Sequence, residues 1–186
     1  MTHKRSKRQR QASFLRTVRK VHRYTGVALF VLFMIVGVTG LLLGWKKNSG
    51  GYLLPESQRG TARQLADWQA LALLEARALH LLDSLAPQLD PAINRIDVRP
   101  DKGMVKFTFK EHYYELQLDG ATGQLLSFRK RRSDLLEQIH DGSIVDKLTG
   151  WSFFKLLYTS IMGLALLVFT LTGFWLWYGP IRMRKM

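Results

Sequence analysis

The stretch "VHRYTGVALFVLFMIVGVTGLLLGW", residues 21–45, decides the fold. From Tyr24 to Trp45 it carries no charged side chain. Wound as a helix at about 1.5 Å per residue, these 22 residues reach roughly 33 Å, enough to cross a bilayer's hydrocarbon core. A second uncharged run of 23 residues extends from Leu156 to Tyr178. Aromatic residues mark the ends of both: Tyr24 and Trp45 on the first, Trp151, Phe153, Phe154, Trp175, Trp177 and Tyr178 around the second. Aromatic rings concentrate where lipid headgroups meet water, so this pattern predicts two membrane spans rather than two buried helices of a soluble protein. The first run is too long for a signal peptide, and "GLLLGWKK" offers no small-x-small cleavage site, so a retained anchor is expected.

Charge gives the expected orientation. The formal net charge is +14, yet all 14 acidic residues lie between Lys46 and Gly150. The 15 basic residues of that segment leave it at +1. The excess sits in the tails, with nine Lys and Arg from Lys4 to Arg23 and a further group at Arg182, Arg184 and Lys185. Basic tails that abut apolar runs are a topology signal and argue against nucleic acid as the partner. Both tails are expected in the cytoplasm, and residues 46–150 outside a bacterial inner membrane. The chain has no cysteine, which excludes disulfides, thiolate zinc sites, iron–sulfur clusters and cysteine nucleophiles. Metal chemistry here falls to His, Met, Tyr or carboxylates.

Between the spans, "LADWQALALLEARALHLLDSL" (65–85) lacks Gly and Pro and predicts a helix. Trp68, Leu71, Ala72, Leu79, Leu82 and Leu85 form its apolar stripe, and Pro87 and Pro91 end it. Alternating apolar and polar residues at 93–100, 104–111, 113–119 and 124–130 predict four short antiparallel strands, broken by the turn-like "PDKG" and "DGATG". "SDLLEQIH" predicts a short amphipathic helix stopped at "DG". The predicted class is an α+β membrane protein. Its parts are a basic N-terminal segment (1–23), a first span (24–45), a linker (46–60), a helix-plus-sheet domain (61–132), an amphipathic juxtamembrane segment (133–152), a second span (153–178) and a basic tail (179–186).

At 100° per residue, His22, Gly26, Phe33, Gly37, Gly40 and Gly44 share one arc of the first span. Thr159, Gly163, Leu166, Thr170, Gly173 and Trp177 share an arc of the second. Glycine lets a neighbouring helix or a flat ligand approach the backbone, and "GLLLG" is a GxxxG pattern. Two readings follow: a glycine-packed helix pair with His22 as a flank residue, or a histidine ligand above a glycine face. His140, about ten residues before the second span, is either a helix-end residue suited to the helix dipole or a second ligand. His80 and His112 read as structural or exposed.

The stretch "YYELQLDGATGQLLSF" resembles the end of a PepSY domain. The flanking segments, "VHRYTG" with "GVTGLLLGW" and "IHDGSIVDKLTGW" with "LTGFWLWYGP", resemble the PepSY-associated transmembrane family. The likeness covers about residues 15–180. Longer members of that family include inner-membrane ferric-siderophore reductases with at least four spans, against two here. The resemblance implies b-type haem held by membrane histidines, here His22 and His140, with Gly26, Gly37, Gly40 and Gly44 giving room for the macrocycle. The two histidines fall on opposite sides of the bilayer, so a homodimer that pairs each with its copy is expected, acting in electron transfer to ferric iron. The basic run 129–132 is either a solvated linker touching lipid phosphates or a docking site for haem propionates or an anionic ferric chelate. The alternative is a non-enzymatic, membrane-anchored PepSY module that regulates or serves a protease or transporter. No GxGxxG dinucleotide motif occurs, so electrons would come from a partner or quinol.

Overall fold

A computed structural model describes residues 7–184. Its contacts divide the chain into two compact units: the part up to Gly40 with that from Gln138 onward, and the part from Leu41 to Glu137.

The first unit is built on two long helices, α1 (Lys7–Gly44) and α5 (Phe154–Arg184). Both are long and apolar enough to cross a membrane. The helical pattern of α1 starts well before the apolar run, because no Gly or Pro interrupts the basic segment 7–23. The two helices meet along a seam with three- and four-residue spacing. Leu15, His22 and Gly26 supply one side, and Phe169, Thr172, Gly173 and Gly179 the other. This spacing suits antiparallel helices crossing at a small angle. The seam on α5 lies about one residue round from the expected arc. Leu166 and Trp177 are 57% and 66% exposed, while Met162 and Ala165 are buried. Small residues alone do not choose the face; the large Phe169 fills the space that Gly26 leaves open. Two short helices, α3 (Arg132–Asp141) and α4 (Ser143–Thr149), precede α5. The Asp146 carboxylate accepts from the free amides of Phe154 and Lys155, capping α5.

The second unit holds α2 (Leu71–Leu85) and a four-stranded antiparallel meander: β1 (Ile93–Arg99), β2 (Met104–Phe109), β3 (Tyr114–Asp119) and β4 (Leu125–Lys130), in that order across the sheet. Alternation sends Val105, Phe107, Phe109, Leu116 and Leu118 to one face, where Leu74, Ala78 and Leu82 of α2 cover them. The helix is shorter than the expected 65–85. Residues 65–67 form a 3₁₀ turn and Trp68 is extended, with its indole N–H donating to the Ala62 carbonyl at 2.8 Å. That indole lies where a side chain at Gly120 would stand, so only glycine fits there.

The opposite, polar face of the sheet is also covered. Residues 53–61, expected as linker, are laced across it. The amide of Gln58 donates to Gln117, the amide of Thr61 to Asp119, and the amide of Ser133 to the Leu53 carbonyl. Glu115, with no exposed surface, is paired with Lys106 at 3.2 Å and Arg131 at 2.7 Å.

Candidate functional site

His22 lies on α1 beside the middle third of α5. Its Nδ1 is 2.9 Å from Thr172 Oγ1, and its ring stacks on Phe169 with centroids 4.0 Å apart and planes 25° from parallel. Its Cε1 passes 3.6 Å from where a Cβ on Gly173 would stand. His140 occupies the last turn of α3, against the far end of α1. Its Nδ1 is 2.9 Å from Thr39 Oγ1, and its Cε1 is 3.3 Å from the corresponding point on Gly40. Each imidazole therefore rests on a Thr-Gly pair of another helix. Among the described residues, the Nε2 of neither makes a hydrogen bond.

The turn after His140 explains its placement. Gly142 has φ +78°, which ends α3 in a left-handed residue that a side chain would strain. Asp141 then accepts from the amide and hydroxyl of Ser143 and pairs with Lys155 at 2.6 Å. Burial raises the pKa of Asp141, but Lys155 and Ser143 outweigh it and hold its carboxyl below the usual range. His140 is thus braced from the residue that follows it.

Seventeen residues of α1 separate the level of His22 from that of Thr39, about 26 Å along a helix. The two imidazoles cannot meet on one metal within a chain. Among the described residues no three His, Asp or Glu side chains gather to hold an ion.

Between α1 and α5 runs an apolar groove of about 950 Å³, with Gly26, Phe30, Gly37, Gly163 and Leu166 along it and His140 at one end. The glycines divide into two sets. Gly26 and Gly40 are packed closely by Phe169 and His140, whereas Gly37, Gly44 and Gly163 have nothing within 4 Å of an added Cβ. Gly44 lies outside the groove lining.

The sheet unit has its own hollow of about 470 Å³, bordered by Tyr52, Tyr114, Phe128, Arg129, Lys130 and Arg132. Tyr114 and Phe128 stack at 5.0 Å, and the Arg132 guanidinium lies 4.3 Å from the Tyr52 ring centroid. Arg129, Lys130 and Arg132 form no ion pair among the described residues, while Arg131 is taken up by Glu115 and Asp134. The run "RKRR" thus separates into Arg131, tied to carboxylates, Arg132, which donates to the Tyr52 carbonyl at 3.0 Å, and Arg129 and Lys130, which have no ion pair among the described residues. His80 is exposed, and His112 bridges backbone groups of the sheet unit.

Thr39 and Thr172 went unassigned in the sequence reading, although both stand in the quoted "TG" pairs. Phe169 carries no sequence signal beyond being apolar. The family described as PepSY-associated TM region matches residues 19–185. Comparison with curated proteins finds no match.

Proposed function

The chain belongs to the PepSY-associated TM family and is a two-pass membrane protein, and on that basis we propose that it is a haem-b electron-transfer subunit of a bacterial inner membrane. One observation carries the reading. Two imidazoles, about 26 Å apart, are each braced at Nδ1 and keep Nε2 unpartnered. A histidine fixed through one ring nitrogen and free at the other is the usual state of a metal ligand. A lone protein ligand suits a group that brings most of its own donors, as a porphyrin does. The apolar groove and its bare glycines suit a flat macrocycle.

His140, which borders the groove, would hold an iron whose ring Gly37 and Gly163 leave room for, and His22, outside the groove lining, would hold a second. Haem bound there supplies one-electron exchange between ferric and ferrous iron. Phe169 keeps the His22 ring from turning, and Asp141 with Lys155 steadies the end of α3. Each level of one chain offers a single imidazole toward such a haem. A symmetric dimer supplies the second at both levels and makes a four-helix bundle from two pairs. Arg129, Lys130 and Arg132 beside Tyr114 and Phe128 suit an anionic acceptor such as a ferric chelate.

The test is an absorbance spectrum of the purified, haem-replete protein before and after dithionite. Low-spin b-type bands are expected, and light scattering should give the mass of two chains. A protein with no such bands, or with bands unchanged in both His22→Ala and His140→Ala, defeats the proposal.

A further inference from the structure

The seating of the two histidines carries more than their position. Thr39 Oγ1 lies 2.6 Å from the Ile35 carbonyl and Thr172 Oγ1 lies 2.7 Å from the Val168 carbonyl, each one turn back in its own helix. Two oxygens that close repel unless a proton lies between them. A hydroxyl has only one proton, so each threonine donates it to its own backbone. What remains toward the imidazole is a lone pair. Nδ1 of His22 and of His140, each 2.9 Å away, must therefore be the donor. In a neutral ring the other nitrogen, Nε2, then carries the lone pair.

We propose that Thr39 and Thr172 are positioning residues that lock His140 and His22 in the Nδ1–H tautomer, so that Nε2 faces the metal as a ligand. The glycine that follows each threonine completes the device. A Cβ at Gly40 would come within 3.3 Å of His140 Cε1, and one at Gly173 within 3.6 Å of His22 Cε1. At Gly40 the bare backbone gives the ring room as it reaches the hydroxyl, while at Gly173 the ring sits at ordinary contact distance. The arrangement occurs twice, once on each long helix, from two unrelated segments. His112 shows the contrary case. Its Nε2 lies 3.0 Å from the Asp90 carbonyl and must donate, while Nδ1 accepts from the Tyr114 amide. That ring is tied to backbone at both nitrogens.

The identity of the metal group rests on the haem reading; the tautomer does not, and the experiment separates them. The full-length chain, labelled with ¹⁵N-histidine and held haem-free in detergent micelles, is read by two-bond ¹H–¹⁵N correlation. His22 and His140 should give the Nδ1–H pattern and His112 the Nε2–H pattern, with assignments from single His→Gln variants. Thr172→Val should change only the His22 pattern and Thr39→Val only that of His140, whereas Thr→Ser at either site keeps the wild-type pattern. In haem-loaded protein each Val variant should weaken haem retention at its own histidine about 10-fold or more and alter one low-spin electron-paramagnetic-resonance signal, with Ser restoring both. An Nε2–H pattern at His22 or His140 in the wild type overturns the inference, as does a Val variant whose pattern is unchanged. Nδ1–H patterns in a protein that takes up no haem support the threonine role and defeat the haem reading.

Discussion

Gly26 shows how one missing side chain shapes the membrane unit. Phe169 Cε2 lies 3.0 Å from where a Cβ would stand, and the same phenyl ring stacks on His22. Gly26→Leu should push Phe169 off its seat, destabilise the helix pair by about 1–3 kcal/mol and loosen His22. Thermal unfolding in detergent reads the loss, and adding Phe169→Ala should recover part of it. Gly37→Ala meets nothing within 4 Å and should leave the same transition in place. In the sheet unit, Asp119 is buried, which alone would raise its pKa. Donors from Thr122, Thr61 and Ala121 more than offset this and hold it below the ordinary carboxylate range. Its folded value therefore lies under the unfolded value of about 3.9. The stability it contributes is complete above the unfolded value and is lost as pH falls through the folded one. Asp119→Asn should flatten that acid limb of the unfolding profile, measured between neutral pH and pH 2.

At the scale of elements, the sheet carries a buried ionic layer where an antiparallel sheet on one helix usually meets water. Glu115 joins Lys106 on β2 to Arg131 just after β4, and Arg131 also holds Asp134 at 2.8 Å in the first turn of α3. Burial pulls the pKa of Lys106 down, and its attraction to Glu115 opposes that fall without reversing it. Glu115→Gln leaves Lys106 enclosed without its carboxylate and Arg131 with Asp134 alone, and should cost about 3–5 kcal/mol. Circular dichroism of the full chain on heating checks this, and Glu115→Asp, which keeps the charge, should cost less. The strap 53–61 depends on the same layer, so early proteolytic cleavage in that strap is expected in Glu115→Gln.

Across the whole molecule, the two histidines stand at levels about 26 Å apart, on different elements and different threonines. Under the haem proposal they should therefore fail independently. His22→Ala and His140→Ala should each halve the haem bound per chain, and the double variant should bind none, measured as pyridine haemochrome against protein. Charge reversal at Arg129 and Arg132 should leave haem content and spectrum intact and slow reoxidation by an anionic ferric chelate, an effect that grows at low salt. Equal reoxidation rates in variant and wild type would remove that hollow from the electron path.

The two spans, the four strands, α3 and the candidate histidines were legible in the sequence because each is written in local pattern: an uncharged run, an alternation, an amphipathic turn, a polar residue at an apolar boundary. Patterns of this kind report the surroundings of a residue along its own element. The face of α5 that meets α1 was not legible, because Phe169 takes its place from the gap at Gly26, 143 positions away. Nor was the fate of residues 53–61, whose hydrogen bonds go to strands and turns far along the chain. The roles of Thr39 and Thr172 appeared only when hydroxyl, carbonyl and imidazole were seen together. The sequence by itself determined which histidines could serve as ligands, through their place at the ends of apolar runs. Tertiary structure alone decided how each ring is held, since a tautomer is set by the partner across the helix interface and not by any neighbour in the chain.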